Sequence, residues 1–306
     1  MENQTTEASE APARQVATVV RQAARRLISR GIESGPLDSE VLLGHVLGLT
    51  REQLIVSAAV QLDDKELRVY AGLLARRLER QPTAYITGKR EFWSLDFHVT
   101  SDVLIPRPET ELLVEIALRL AVEARSAKPL RIIDLGTGSG AIAVALACEL
   151  AGAEIFASDI SLAALAVAKD NAVRNHVADK IQFVFGDLFE AIPAEQPVDL
   201  IVSNPPYIRR SDVDTLEPEV SRWEPRGALD GGLDGLDYYR RIAAQAFGYV
   251  AENGAVAVET GAGMGESVAR LFQEAVACAE VEIYKDYTGN DRVVVARKIT
   301  AGTGAI

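Results

Sequence analysis

From Val16 to about Arg80, apolar residues recur at three- and four-residue spacing. The stretches "VATVVRQAARRLIS", "LDSEVLLGHVLGL" and "KELRVYAGLLARRLER" each set an apolar stripe against a polar face, the pattern of an amphipathic helix. Gly31, Gly35 with Pro36, and Gly48 punctuate them. Residues 16–84 are therefore expected to form a small all-α bundle. Residues 1–15 are small and polar without any period, and are expected to be disordered. "QPTAYITG" breaks the helical pattern and "REFWSLDFHV" alternates, so residues 85–107 are read as a linker carrying a β-hairpin. "IPRPETELLVEIALRLAVEA" then opens a helix, with Pro108 suited to its first turn and Glu109 and Glu111 near its positive end.

After Pro129 the texture changes. Strands are expected at "LRIIDLG", "AEIFASD", "KIQFVFGD", "VDLIVSN" and "GAVAVETG". Helices fall between them at "GAIAVALACELA", "SLAALAVAKDNAVRN", "GLDYYRRIAAQAFGYV" and "MGESVARLFQEAVAC". Continuous apolar strands separated by helices imply a parallel sheet covered on both faces. "VEIYKDYTGNDRVVVARK" reads as two strands joined through "TGND", an antiparallel pair at one edge. The fold class is α/β: a Rossmann-like, mostly parallel sheet with an antiparallel last strand over residues 108–299, preceded by the helical bundle. Residues 300–306 are expected to form a loose tail.

Composition narrows the function. The chain has 306 residues, 48% hydrophobic and 25% charged, which is ordinary for a globular protein with a real core. No run of about eighteen apolar residues exists, so no membrane span is expected. The start lacks an apolar h-region and carries Glu2, Glu7 and Glu10, which argues against a secretory or transit signal and for the cytoplasm. Net charge is −12, yet residues 1–85 hold eleven acidic and eleven basic side chains, so the whole acidic excess lies beyond them. That distribution disfavours a phosphate backbone as the main partner. Cys148 and Cys278 lie in apolar helical segments and are expected to be buried, reduced thiols. His45, His98 and His176 lie far apart, and no metal site is expected.

In a doubly wound sheet, ligands bind outside the carboxyl ends of the strands. Here those ends read "DLGTGSG", "SD", "GDLF", "SNPPY" and "VETG", all polar or glycine-rich. "LGTGSGA" is a strand–loop–helix junction in which Gly136, Gly138 and Gly140, with Thr137 and Ser139 between them, let backbone approach a ligand closely. It lacks the Lys-Ser/Thr of a P-loop. Asp159 follows Gly140 by nineteen residues, where an acid can take two ribose hydroxyls. Asp187 ends the third strand. Together these point to an adenosine-type cofactor. A pyrophosphate would suit the acid beside the loop, Asp134, poorly, whereas the ammonium of S-adenosylmethionine would suit it well. "NPPY" after the fourth strand favours the same cofactor. Both Asn204 and Pro205 precede a proline, so that loop is stiff and holds its carbonyls, and the Asn204 side chain, in fixed directions.

"DLGTGSGAIA", "SNPPYI", "EPRGALDGGLDGLDYYR", "YITGKREFW" and "LIPRPETELLVE" together resemble the bacterial release-factor glutamine methyltransferases, the HemK family, from about Tyr85 to Lys298. The resemblance implies a class I methyltransferase domain that uses S-adenosyl-L-methionine and, by analogy, a partner-docking role for the bundle of residues 16–84. Its implied substrate is the glutamine of the Gly-Gly-Gln loop of class I peptide chain release factors, methylated on the side-chain amide nitrogen. The loop from Gly136 to Gly140 would hold the methionine part of the cofactor, Asp159 its ribose, and Asp187 and Leu188 its adenine. Asn204, Pro205, Pro206 and Tyr207 would hold the substrate glutamine, with Asn204 also beside the cofactor. Leu188 stands where some members carry an aromatic residue, and Met264 where glutamine is common. In this reading the Asn204 side-chain carbonyl and the Pro205 backbone carbonyl accept the two amide N–H bonds, and Tyr207 packs on the amide plane. No general base is nominated. Adenine methylation of nucleic acid would share "NPPY" but needs base flipping and a basic track; a non-catalytic S-adenosylmethionine-binding module is the third reading.

Overall fold

A computed structural model of the chain describes residues 14–124, 129–193, 197–275 and 279–298. The expected disordered start, the tail and Cys278 fall outside those residues, except for Arg14 and Gln15. Two compact units result: one runs to Gly88 and includes Glu217–Trp223, and the other takes Lys89–Leu216 and the chain from Glu224 onward.

The first unit is helical. Helix α1 (Val16–Ser29) buries Val16, Val19, Ala23 and Leu27, the stripe that its spacing predicts. Helix α2 (Gly35–Leu47) carries Pro36 in its first turn and stops at Gly48, whose φ of 67° a side chain would resist. Helix α3 (Arg51–Val56) is short and locally encoded: Thr50 and Gln53 form a capping box, and of its side chains only Leu54 is buried. Asp63 and Glu66 cap α4 (Asp64–Leu78) in the same way. Helix α5 (Thr83–Thr87) is a single turn inside "QPTAYITG", closed by Gly88. Leu27, Ile32, Leu42, Leu43, Leu54 and Tyr70 are among the side chains that fill this core.

The second unit starts with a hairpin, β1 (Lys89–Phe92) and β2 (Leu95–His98), whose Phe92 and Phe97 rings meet edge to face in the core. Pro108–Thr110 forms a 3-10 turn, and regular helix α6 begins only after it, at Glu111–Glu123. There follow β3 (Arg131–Leu135), α7 (Ala141–Glu149), β4 (Glu154–Asp159), α8 (Leu162–Arg174), β5 (Ile181–Phe185) and β6 (Val198–Ser203). The one-turn α9 (Pro218–Ser221) belongs to the first unit. Next come α10 (Asp237–Ala246), β7 (Val250–Glu259), α11 (Gly265–Ala275), β8 (Ala279–Lys285) and β9 (Asp291–Lys298).

The sheet order is β5-β4-β3-β6-β7-β9-β8, with β9 antiparallel to both its neighbours and the five strands from β5 to β7 parallel. Side chains alternate as a two-residue period demands: Ile132, Leu200, Val202, Ala255 and Ala257 join the core with α6 and α7, while Ile133, Leu135, Ile201, Val256 and Val258 join that of α10 and α11. From β3 the chain winds outward to β4 and β5, then returns to place β6 on the other side of β3. The carboxyl ends of β3 and β6 therefore flank a topological switch point, where such sheets open a crevice. Cys148 departs from the expectation of burial: it sits in the last turn of α7 and is exposed, because Ala147 is the last buried position of that helix.

Candidate active site

Two loops leave the sheet at the switch point. Leu135 of β3 pairs with Ser203 of β6, so Gly136 and Asn204 are the next residues of neighbouring strands. Ser203 Oγ donates to the Leu135 carbonyl at 2.8 Å, tying the two ends together.

In the glycine loop, Gly136, Gly138 and Gly140 all have positive φ (68°, 56° and 81°). Their surroundings differ. A Cβ at Gly136 or Gly138 would meet nothing within 4 Å, whereas one at Gly140 would meet the Ala168 Cβ at 3.1 Å. The first two glycines thus border open space, and the third lets α7 approach α8. Thr137 donates from its amide to the Ser158 carbonyl and from its hydroxyl to Asp134 Oδ2, at 2.9 and 2.6 Å. Asp134 is fully buried beneath the loop, and its Oδ1 has no hydrogen-bond partner. Burial pushes its pKa up to about 7, against the pull of the Thr137 hydroxyl and the Ala143 amide. An unpartnered buried carboxylate oxygen is the acceptor that an ammonium group would satisfy.

Asp159 holds the loop from the next strand end. Its Oδ2 accepts from the Gly138 amide at 2.9 Å and its Oδ1 from the Ser161 amide at 2.8 Å. Burial raises its pKa. Each oxygen keeps a second lone pair, so both backbone contacts are compatible with a diol ligand. The cap of α8 is made by the Ser161 hydroxyl, which accepts from Ala164. Asp187 pairs with Arg241 at 2.7 Å. Leu188 is buried against the core around Phe189 and has φ 54°, a left-handed conformation that costs a branched side chain about 1–2 kcal/mol. Ser139 is buried, and its carbonyl accepts from Asn171 Nδ2 at 2.9 Å.

In the second loop Pro205 is buried, while Asn204, Pro206 and Tyr207 are partly so. Asn204 Nδ2 donates to Thr110 Oγ1 at 3.2 Å. Among the described residues no side chain or loop amide donates to Asn204 Oδ1 or to the Pro205 carbonyl. Burial drives the Tyr207 hydroxyl up to about 12, so it stays protonated. The loop is held from outside by the glycine-rich segment that follows. Ile208 donates to the Leu229 carbonyl at 3.0 Å and Gly231 returns the bond to Ile208 at 2.8 Å. A Cβ at Gly231 would stand 2.7 Å from the Pro206 carbonyl, and one at Gly235 would stand 2.4 Å from that of Tyr207. Both distances are prohibitive. "LDGGLDGLDYYR" is thus the bed on which "NPPY" lies.

The match to known proteins follows the same two regions. Residues 18–88 match the model of the PrmC N-terminal domain, and residues 110–217 that of the methyltransferase small domain. A release factor glutamine methyltransferase of Geobacter sulfurreducens is 44% identical over 89% of this chain and 92% of its own. One from Cereibacter sphaeroides is 42% identical over 92% and 98%. The chain belongs to the release factor glutamine methyltransferase family. The fold is also that of the hMettl16 catalytic domain, solved in complex with MAT2A 3'UTR hairpin 6, at TM-score 0.54 and 16% identity over 76% of this chain and 84% of that one.

Three residues of this family member escape a reading of its sequence. Asn171, on the inner face of α8, donates to the carbonyls of Ser139 and His98 and accepts from the His98 amide, so one side chain ties the glycine loop to β2. An asparagine among alanines and valines was the available signal. Thr110 and Glu259 are buried and far apart in sequence; Thr110 Oγ1 accepts from Asn204, and the Thr110 hydroxyl is a neighbour that favours the Glu259 carboxylate. Because Ser203 pairs with Val258, Asn204 and Glu259 leave their strands side by side. Neither oxygen of Glu259 has a hydrogen-bond partner, and burial lifts its pKa to about 7. Met264, noted for its departure from glutamine, packs with Tyr207 in the core and lies against Gly235 and Gly261. Among the described residues no group of histidine, cysteine and acidic side chains could hold a metal ion.

Proposed function

We propose that this chain methylates the side-chain amide nitrogen of the glutamine in the Gly-Gly-Gln loop of peptide chain release factors, with S-adenosylmethionine as donor. The observation that carries the reading is a pair of unclaimed acceptors, Asn204 Oδ1 and the Pro205 carbonyl, at the strand end beside the glycine loop. Family membership supports the same assignment.

The residues present fit the donor. Asp134 Oδ1 is an orphaned acceptor for its ammonium, Gly136 and Gly138 leave open space for its methionine part, and Asp159 is the acid for its ribose. Asp187 and Leu188 stand at the next strand end for the adenine. When bound, S-adenosylmethionine would supply a methyl group already activated by a sulfonium charge, its sulfur–methyl bond breaking to leave the neutral thioether S-adenosylhomocysteine.

The chain's task is positioning. A carboxamide nitrogen is a weak nucleophile because its lone pair is delocalised into the carbonyl. Asn204 Oδ1 and the Pro205 oxygen each accept one of its two N–H bonds and so fix its direction. As the new carbon–nitrogen bond forms, positive charge gathers on nitrogen, and the same two oxygens stabilise it. Tyr207, held protonated, packs on the amide plane and excludes water. One N–H proton is then lost to solvent. Orientation of this kind is worth about 7–11 kcal/mol in favourable cases, and consecutive prolines supply the necessary stiffness.

The test incubates the full chain with labelled S-adenosylmethionine and purified release factors that carry either glutamine or alanine at the target. Label in the glutamine form alone supports the reading. Label in neither, or in both, overturns it.

A further inference from the structure

Asn204 can present either end of its side-chain amide to the substrate, and only one end is useful. If its NH2 faced the glutamine amide, donor would meet donor. The structure contains a device that selects the right face.

Asn204 Nδ2 donates to Thr110 Oγ1 at 3.2 Å. Thr110 closes the 3-10 turn of "IPRPET" and is buried. Its hydroxyl has one proton to give and is the neighbour that most favours ionised Glu259. The Glu259 carboxyl is fully buried with neither oxygen completing a hydrogen bond, a state that demands a donor. A carboxylate accepts only. If the Thr110 hydroxyl donates its one hydrogen bond to Glu259, its oxygen can do nothing towards Asn204 except accept.

We propose that Thr110 and Glu259 are positioning residues: the Thr110 hydroxyl donates a hydrogen bond to the Glu259 carboxylate, Thr110 Oγ1 accepts from Asn204 Nδ2, and Asn204 Oδ1 is thereby locked towards the substrate amide. This rests on the methyl-transfer reading above and specifies how the acceptor is oriented. Other groups act on Glu259 from each side: Arg292 of β9, Arg107 and Glu109 ahead of α6, Tyr207 of the loop and Tyr239 of α10. Arg107 and Arg292 favour the carboxylate, and Glu109 opposes it. When Glu259 is protonated it offers a proton to Thr110 Oγ1 in competition with Asn204, and the lock weakens. Activity should therefore fall on the acid side of neutrality.

The test compares wild type with Thr110→Val, Thr110→Ser and Glu259→Gln as full-length proteins, each checked for S-adenosylmethionine affinity by calorimetry. Single-turnover methylation at saturating donor and release factor should drop about tenfold to a hundredfold in Thr110→Val, the effect of one lost hydrogen bond of about 1–3 kcal/mol. Donor affinity should be kept, and Thr110→Ser should recover most of the rate. Glu259→Gln should flatten the acid limb of the pH profile. Independently of any substrate, Asn204 side-chain NH2 exchange, read by NMR with isotope-labelled asparagine, should be slow in wild type and Thr110→Ser and fast in Thr110→Val. Equal exchange in all three overturns the lock, as does a Thr110→Val rate equal to wild type. Slow exchange in a wild type that methylates no release factor would leave the lock standing and sink the methyl-transfer reading.

Discussion

The two glycine-rich stretches of this enzyme use the same residue in opposite ways. At Gly136 and Gly138 the missing side chain leaves open space at a positive φ. At Gly231 and Gly235 the missing side chain is already replaced by the backbone of the protein's own Pro206 and Tyr207. In the proposed reading the first group makes room for the donor; the second makes room for the protein's own loop. Glycine count alone cannot separate the roles, but what a Cβ would touch can.

Substitutions should divide along that line. Gly235→Ala is expected to be the most damaging: its Cβ would stand 2.4 Å from the Tyr207 carbonyl at φ 81°. Overpacking and a left-handed non-glycine residue together cost about 2–5 kcal/mol. Chemical denaturation should show that loss, and turnover should collapse while the folded fraction still binds donor.

Glu259→Gln acts on the same half with the opposite sign in stability. The folded protein lifts this carboxyl from 4.5 to about 7, so the folded state favours the neutral form. Its stability is retained below the unfolded pKa and lost as pH rises towards the folded one. At pH 8 the wild type carries a penalty of about 3 kcal/mol that the amide lacks. Melting temperature should therefore rise in Glu259→Gln at pH 8 and match wild type near pH 4.5, measured calorimetrically. A variant that is more stable at pH 8 and has lost the acid limb of its pH profile would mark the buried acid as kept for function rather than for stability.

Asn204→Ala isolates one acceptor. Removing it should cost about 1–3 kcal/mol in the transition state, or about tenfold to a hundredfold in turnover, with donor affinity nearly unchanged. Unaltered single-turnover kinetics would reject its role. Gly138→Ala probes the other half with the smallest expected effect. No contact opposes its Cβ, so the cost is the left-handed backbone, about 1–2 kcal/mol. Donor affinity should weaken while the rate at saturating donor holds. A rate loss at unchanged affinity would show that the two glycine groups are not separable.

Much of this was legible because the sheet is buried on both faces, so that strands such as "RIIDL" and "VDLIVS" are buried at all but one position and are apolar through most of their length. The polar and glycine-rich strand ends between them marked the candidate site. Elements encoded by short-range capping were not legible: α3 shows only one buried side chain, and α5 is a single turn. Strand β7 begins at Val250, ahead of the expected Gly254, because exposed Glu252 and Asn253 and a register shift near Val198 disguise its start. The contact between Thr110 and Asn204 spans ninety-four positions, and no local pattern announces a pairing of that range. Cys148 misled for a related reason: "AIAVALAC" is uniformly apolar, so nothing in it says where the helix leaves the core.

Strand β9 lies inside the sheet, between β7 and β8, and contributes Val293, Val294, Val295 and Ala296, all fully buried. During translation, β3 to β7 emerge well before it. Until Asp291–Lys298 clears the ribosome exit, β7 has an unzipped flank, and the nascent chain must be kept from pairing with a neighbour there. A protein of this topology cannot ripen strand by strand from its amino end: the seal on its core is delivered late, and a stalled or prematurely ended message yields a sheet that is sticky along one side.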